Sequence, residues 1–463
     1  MTLIKSISGI RGTIGGKAGE SLSPLDIVKF TSAYAAWVIN ESKKDKCLVL
    51  IGRDARLSGE MISNIVSLTL RSSGIDVIDL GLATTPTVEM AVVNENADGG
   101  IILTASHNPG NWNALKLLTG SGEFISDKSG KDILRIAESE EFTYSEIEDT
   151  GTYKSIDSYH DYHIKKILDL DLVDIDKIRE ASLTVAIDSV NSVGGLVLPD
   201  LLKSLGVARI VEINGEPSGI FAHNPEPLPE NLGQLAEIIV KEKADVGFVV
   251  DPDVDRLAIV SENGDFFNEE YTLVACSDYV LSENPGTTVS NMSSTRALRD
   301  ITGVYGEKWY SSAVGEVNVV RKMKETGAVI GGEGNGGIIL PALHYGRDAL
   351  VGIALFLTHL SRSGMKCSEL RYKYPEYVIS KNRIELPADI NPDNIIDSLA
   401  KDFRDEVSST EDGILFEYAE AWVHIRKSNT EPIIRIYSEA HTREEADKIA
   451  ANIIKSVKKI LSH

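Results

Sequence analysis

Gly99-Gly100-Ile101-Ile102-Leu103-Thr104-Ala105-Ser106-His107-Asn108-Pro109-Gly110 reads as an apolar strand that empties into a turn with a serine at its tip. A short run of branched apolar residues marks a buried strand, and Asn-Pro-Gly ends it. Doubly wound sheets bind their ligands in the crevice outside the carboxyl ends of strands, so this spacing puts Ser106 at a reactive position. Taken alone, such a turn equally suits a Ser or Asn that caps a helix. The rest of the chain decides between the two.

Working outward, Leu48-Val49-Leu50-Ile51-Gly52-Arg53-Asp54 is a second strand that ends in a glycine turn, followed by a helix to Arg71 and a strand over Ile75–Leu80. The same cadence returns at Leu183–Ser189, with a helix to Leu205 and a strand over Ala208–Ile213. A looser third copy starts at Thr287–Ser290 and runs through a helix over Glu316–Lys324. Repeated strand-helix-strand units imply right-handed crossovers and mostly parallel sheets. After the segment Arg371–Val378 the pattern changes to strands around Arg383–Leu386 and Ala421–Arg426, with a closing helix over Arg443–Leu461. The sequence therefore predicts an α/β protein of three related mixed-sheet domains, residues 1–155, 156–256 and 257–372, plus a smaller C-terminal α+β domain, residues 373–463. The charged stretch Ser139–Tyr162 reads as the first linker. Near the N-terminus, Pro24 suits the first turn of a helix that starts at Ser23 and carries Ile27, Phe30, Tyr34 and Trp37 on one face, a core stripe.

Composition narrows the partners. Acidic residues outnumber basic ones 69 to 47, a formal charge of -22, so the surface repels nucleic acid and anionic membrane. Any phosphate ligand must be held by a local basic pocket. Cys47, Cys276 and Cys367 are far apart and odd in number, which supports neither a disulfide frame nor a zinc site. Met1–Ser6 lacks the apolar core of a signal peptide and Val351–Leu357 is too short to span a bilayer, so the expectation is a cytoplasmic protein.

Three further loops carry chemistry. Val246–Val250 runs into Asp251-Pro252-Asp253-Val254-Asp255-Arg256 and then at once into Leu257–Val260. Carboxylates on alternate residues of a tight turn converge on one hard cation, and Mg²⁺ prefers a few carboxylates completed by phosphate or water. An EF-hand fails here, because Arg256 stands where the turn needs glycine and strands flank the loop. Gly331-Gly332-Glu333-Gly334-Asn335-Gly336-Gly337 contains a nominal Gly-x-Gly-x-x-Gly, but Ile338–Pro341 follows it and no helix N-terminus is available for a pyrophosphate. Arg426-Lys427-Ser428-Asn429-Thr430-Glu431-Pro432, with Arg435 behind it, gathers a guanidinium, hydroxyls and an amide around a turn, a set suited to a phosphate that does not react.

Thr104–Pro109 resembles the phosphoserine loop of the α-D-phosphohexomutases, and the three later loops match that family in order over essentially the full length. The resemblance implies four domains around a central cleft. It makes Ser106 the phosphoryl carrier, with His107 and Asn108 shaping its loop. Asp251, Asp253 and Asp255, together with Ser106, become ligands of one Mg²⁺, and Arg256 a neighbour that contacts phosphate. Glu333 and Asn335 hold adjacent sugar hydroxyls, and Arg426, Ser428, Asn429, Thr430 and Arg435 hold the distal phosphate. Arg11, Arg53 and Lys116 line the site, with Lys116 assisting proton transfer through a pKa lowered by neighbouring cations. Many relatives carry a histidine where this chain has Gly337, so that role is vacant or moves elsewhere, conceivably to His344.

The implied reaction interconverts hexose 6- and 1-phosphates through a hexose 1,6-bisphosphate, which is both intermediate and activator. The Gly-Glu-Gly-Asn-Gly-Gly wording and the Ala313–Glu316 segment look most like members that act on glucosamine phosphate. Phosphoglucomutase/phosphomannomutase activity is the close alternative, and a metal-dependent sugar phosphatase the alternative of another class. The expected partner is a phosphorylated hexose, and the expected state a monomer or homodimer.

Overall fold

The computed structural model describes residues 2–6, 9–387, 390–403, 406–427 and 433–461. Three of its four sheets are built on one motif. In the first, Asp76–Leu82, Leu48–Arg53 and Gly99–Leu103 lie parallel, and Trp112–Thr119 closes antiparallel to Gly99–Leu103. In the second, Arg209–Ile213, Thr184–Asp188 and Val246–Val250 are parallel, and Leu257–Ser261 returns antiparallel. In the third, Trp309–Ser312, Thr288–Asn291 and Ile330–Glu333 are parallel, with Gly337–Ile339 antiparallel. The third parallel strand thus turns back on itself in every copy, and that hairpin holds Ser106, the three aspartates or Glu333. The three chemical loops are one structural position used three times.

The strands form because they are unbroken runs of apolar residues covered on both faces. All five residues of Gly99–Leu103 and of Val246–Val250 are buried. Helix Pro24–Ser42 starts at a capping box in which Ser23 accepts from Asp26 N and Asp26 accepts from Ser23 N, and Pro24 takes the first turn, where no N–H is needed. Its Tyr34 and Trp37 rings stack at 5.9 Å within the first core. The second and third units share one continuous core, in which Phe356 meets Phe248 and Phe267 edge to face at 6.0 and 5.3 Å. The fourth sheet is wholly antiparallel, in the order Val378–Glu385, Ile433–Ala440, Trp422–Lys427, Ile414–Glu417, and packs on helices Pro392–Asp402 and Arg443–Leu461.

Two organisational expectations change. The third repeat uses helix Ala297–Val304 as its first crossover, and Glu316–Thr326 is the crossover after it. The eight residues of Ala297–Val304 make too few turns to show a periodic stripe in the sequence. The stretch Ser139–Tyr162 is no free linker either: Tyr153–Ser155 adds a parallel strand to the edge of the first sheet beside Asp76–Leu82. Gly9–Thr13 and Leu3–Ser6 extend the other edge to seven strands. No described helix is long and apolar enough to cross a membrane.

The strand that leads to Ser106 is seated under Tyr34. Its hydroxyl stands 2.6 Å from Leu118 O and 3.1 Å from Gly100 O, and a Cβ on Gly99 would fall 2.1 Å from Tyr34 Oη. Gly99→Ala is expected to cost about 1–3 kcal/mol by overpacking, and Tyr34→Phe about 1 kcal/mol for the lost hydrogen bond. Because the second change relieves the first, urea denaturation of the double variant should show a loss smaller than the sum. A strictly additive loss contradicts the contact.

Candidate active site

Ser106 follows the carboxyl end of Gly99–Leu103 in a left-handed conformation, φ 49°. Its Oγ donates to Asp251 Oδ2 at 2.6 Å, across 145 residues of sequence. The loop is held from below. Arg56, 1% exposed, forms an ion pair with Asp54 through Nε at 2.9 Å and donates to the carbonyls of Pro109 at 2.6 Å, Trp112 at 3.1 Å, Asn108 at 2.7 Å and Ser106. Asp54 also accepts from Thr104 Oγ1 at 2.7 Å, and Thr104 Oγ1 accepts from Ser106 N at 2.9 Å. A planar fork with five donors suits this task, because it can reach several loop carbonyls from one side chain.

Asp251, Asp253 and Asp255 are fully buried, and one oxygen from each lies within 4.8 Å of the others. Burial, Asp255 and Asp253 together push the Asp251 carboxyl well above the carboxylate range. Burial pushes Asp253 up as well, but Lys116 Nζ at 2.7 Å and Thr85 Oγ1 at 2.7 Å outweigh it and hold that carboxyl low. Thr85 opens helix Thr85–Asn94, and its N–H donates to Asp253 O at 2.9 Å, so the positive end of the helix faces the trio. Asp253 Oδ1 and Asp255 Oδ1 are buried without a hydrogen-bond partner. Clustered, fully buried carboxylates with orphaned oxygens fit a hard divalent cation such as Mg²⁺.

Cations face the loop from other sides. Arg11, on Gly9–Thr13, reaches Asn108 Oδ1 at 3.4 Å, and Arg256 Nε lies 3.8 Å from Asp255 Oδ1. Arg256 and burial, with Arg11 behind them, hold the His107 imidazole well below its ordinary pKa, 3.4 Å from Ser106 Oγ through Nδ1. Burial and Arg256 likewise lower Arg11. Lys116 departs from expectation. Burial lowers its pKa, but Asp253 and, at 3.7 Å, Asp255 raise it further, so it stands above its ordinary value. Its nearest charges are acids, not the cations that its sequence neighbourhood suggested. Arg53 ends its strand with Nη1 3.5 Å from Asp54 O.

Glu333 ends the third parallel strand and is almost fully buried. Oε1 accepts from Asn291 Nδ2 at 2.8 Å and Gly315 N at 3.0 Å, and Oε2 accepts from Arg347 Nη1 at 2.9 Å. Burial raises its pKa, and Arg347 and Asn291 more than reverse this. Asn335 Oδ1 accepts from Gly337 N at 3.2 Å, and Leu257 N donates to Gly336 O at 3.0 Å, which ties this hairpin to that of the aspartates. His344, the conceivable substitute for a histidine at position 337, is engaged by two acids. It points at Glu89 Oε2 and Asp348 Oδ2, each 3.3 Å away, and these acids outweigh burial to raise its pKa to about 10. The space above Gly337 belongs to Arg347, whose Cδ would lie 2.4 Å from a Cβ there.

On the fourth sheet, strand register places Arg426 opposite Arg435, and Arg435 opposite Arg383. Three guanidinium side chains therefore leave one face of the sheet side by side. Directly opposed like charges destabilise a sheet unless something anionic joins them. Burial lowers the Arg426 pKa, and its Nε is buried without a hydrogen-bond partner. The same face meets the third unit through Ser293 Oγ and His424 Nδ1 at 2.8 Å, and Val314 N donates to Asp412 Oδ2 at 3.0 Å nearby. Ser428, Asn429 and Thr430 lie outside the described residues.

Sequence reading missed Arg56, Arg347 and Arg383. Arg56 was within sight, two residues past Asp54 in Gly-Arg-Asp-Ala-Arg; a register drawn for the last strands would have aligned Arg383. Nothing local marks Arg347.

Family models described as phosphoglucomutase/phosphomannomutase, alpha/beta/alpha domains I, II and III, match residues 3–144, 161–264 and 268–377, and the C-terminal domain model matches 390–456. A Thermococcus kodakarensis protein named phosphoglucomutase/phosphomannomutase is 36% identical over 94% of this chain and 95% of its own length. A probable phosphoglucosamine mutase of Pyrococcus abyssi is 35% identical over 97% of each. The crystal structure of a phosphoglucomutase/phosphomannomutase family protein from Burkholderia thailandensis superposes with a TM-score of 0.84 at 26% identity, covering 98% of this chain and 97% of that one.

One buried acid beneath the Glu333 hairpin gives a pH test. Glu270 Oε2 accepts from Thr295 N at 2.9 Å and lies where a Cβ on Gly334 would stand. Burial raises its pKa to about 8 against the opposing pull of Lys381. The folded protein therefore keeps this proton at pH values where the unfolded chain has released it. The stability Glu270 contributes is complete below the ordinary 4.5 and is lost as pH rises through about 8. Melting temperatures of wild type and Glu270→Gln measured across that window should converge at its acid end, with wild type falling away toward its alkaline end. Parallel curves would contradict the assignment.

Proposed function

The chain belongs to the phosphoglucomutase/phosphomannomutase family of intramolecular phosphotransferases, and from that premise we propose that Ser106 carries a phosphoryl group and exchanges it with a hexose phosphate, glucosamine 6-phosphate being the preferred substrate. The observation that carries this reading is the 2.6 Å hydrogen bond from Ser106 Oγ to Asp251, beside two buried carboxylate oxygens without partners. Asp251, Asp253 and Asp255 would hold Mg²⁺ with an oxygen of the Ser106 group. The ion, when bound, offsets charge on the transferring phosphoryl group.

The remaining roles fall to this chain's own groups. A free hydroxyl of the bound hexose phosphate attacks phosphorus in line. A phosphorus–oxygen bond forms to the sugar while the bond to Ser106 Oγ breaks, and the proton lost by the hydroxyl is matched by the one Oγ regains. Positioning and electrostatics do most of the work in such transfers. Arg11 and Arg256 offset charge around the reacting group, Lys116 keeps Asp253 and Asp255 in place, and Glu333 and Asn335 read adjacent hydroxyls. The row Arg426, Arg435 and Arg383 docks the phosphate that is not reacting, by bidentate pairing. After the bisphosphate turns over, the same serine takes back the other phosphoryl group, so both ends of the sugar must fit one reactive loop and one distal dock. A phosphatase has no use for that dock.

Glucosamine phosphate is favoured by the wording of the Glu333–Gly337 loop. Relatives of nearly equal identity carry both names, so turnover of glucose and mannose phosphates is the second reading. Assays of the three sugar phosphates side by side should give the highest kcat/KM for glucosamine phosphate, and a faster rate with either other sugar would reverse the preference. Ser106→Ala should reduce turnover to background while sugar phosphate still binds by calorimetry; retained turnover would reject the carrier role. Arg426→Ala should raise KM about tenfold, the loss of one charge-assisted contact. An unchanged KM would remove Arg426 from the dock.

A further inference from the structure

Arg347 stands where the hairpin of the aspartates meets the hairpin of Glu333. Nη2 donates to Asp255 Oδ2 at 2.6 Å, Nη1 to Glu333 Oε2 at 2.9 Å and Nε to Glu316 Oε2 at 3.0 Å. Its backbone N–H donates to Glu316 Oε1 at 3.1 Å, so Glu316 grips the residue twice. The side chain is nearly buried, and the three acids more than offset burial to raise its pKa well above the ordinary value.

The surroundings are shaped for this side chain. A Cβ on Gly337 would lie 2.4 Å from Arg347 Cδ and 3.1 Å from Cγ, so glycine there is what lets the arginine cross the hairpin. The next residue is pinned on both sides: Asp348 N donates to Ile338 O at 2.8 Å, and Asp348 Oδ1 caps helix Ala349–Ser363 through Leu350 N at 2.8 Å. Lysine could not reproduce the arrangement, because a point charge cannot serve three carboxylates in one plane.

We infer that Arg347 is a positioning residue that couples the carboxylate trio to the sugar hairpin, so that a cation at one and a sugar phosphate at the other change each other's affinity. This rests on reading the trio as a cation site and Glu333 as a sugar contact. The physical link is a shared guanidinium. It holds Asp255 by Oδ2, leaving Oδ1 buried without a hydrogen-bond partner, and it holds Glu333 by Oε2. A cation on the trio competes for Asp255 and alters the hold on Glu333, and a hydroxyl on Glu333 alters the hold on Asp255. Such coupling is reciprocal by linkage. The same geometry fixes a sign: Arg347 places a positive charge against a cation ligand, so removing it should tighten cation binding, whereas a merely structural loss would weaken it.

The test uses the full chain in a Ser106→Ala background, which carries no phosphoryl group there, and titrates Mg²⁺ alone, glucosamine 6-phosphate alone, and each in the presence of the other by calorimetry. In the parent, each ligand should shift the Kd of the other by about fivefold or more. With Arg347→Gln, Mg²⁺ alone should bind about tenfold tighter and the mutual shift should fall toward none. Arg347→Lys, which keeps the charge, should lose the mutual shift without the gain in Mg²⁺ affinity. Should Arg347→Gln fail to fold, Arg347→Gln with Glu316→Gln, which leaves the net charge unchanged, should lose the mutual shift without the gain in Mg²⁺ affinity. No mutual shift in the parent, Mg²⁺ binding that is unchanged or weaker in the folded single glutamine variant, or a mutual shift that survives either glutamine variant overturns the inference. A parent that binds Mg²⁺ but no sugar phosphate instead contradicts the proposed function, while the Mg²⁺ titration still tests the charge of Arg347.

Discussion

Five carboxylates, Asp251, Asp253, Asp255, Glu316 and Glu333, are buried together, and two buried cations, Lys116 and Arg347, pair with them. That imbalance is the constraint on which the rest of the centre depends. Buried charge without a partner is costly, so the centre must lose charge by taking up protons, or gain it from a ligand. The upward push on Asp251 is the first response, and the buried, unpartnered oxygens of Asp253 and Asp255 invite the second. The fold meets the constraint with one device used three times, a parallel strand that turns back antiparallel and presents its hairpin to a common point.

The same accounting sets how so acidic a protein would have to hold the phosphate of the proposed reaction. With a net charge of -22, long-range attraction of an anion is unfavourable, so affinity must be local. Arg11 and Arg256 face the Ser106 loop at one end, and the register of the last sheet brings Arg426, Arg435 and Arg383 together at the other. Under the proposed reaction, a substrate with a phosphate at one end and a hydroxyl at the other would engage both cationic zones. Arg256 stands in long ion pairs with Glu226 and Asp255 at 3.8–3.9 Å.

Much of this was legible in the sequence, and the reason is specific. Each hairpin packs its residues into six or seven consecutive positions, so the loops of Ser106, the three aspartates and Glu333 could be matched to a family's motifs without knowledge of the fold. The strand-helix-strand cadence around Leu48 and Leu183 gave the repeats as well. What stayed hidden acts over distance. Arg347 lies 92 residues from Asp255, and Arg56 lies 50 from Ser106, with nothing local to link either pair. Arg383 needs strand register, and the short helix Ala297–Val304 has too few turns to show a period. Lys116 misled for the same reason: its effective neighbours, Asp253 and Asp255, come from another domain.

Phosphoryl transfer from one serine is the central claim, and a single-turnover experiment bears on it most directly. Protein labelled with an isotopic phosphoryl group at Ser106 is mixed with unlabelled glucosamine 6-phosphate and Mg²⁺, and the label is followed through the first turnover. The account requires the label to leave Ser106 and appear in a hexose bisphosphate, then in hexose monophosphate, with little inorganic phosphate. Label released directly as inorganic phosphate, or label that remains on Ser106 while product forms, would contradict it.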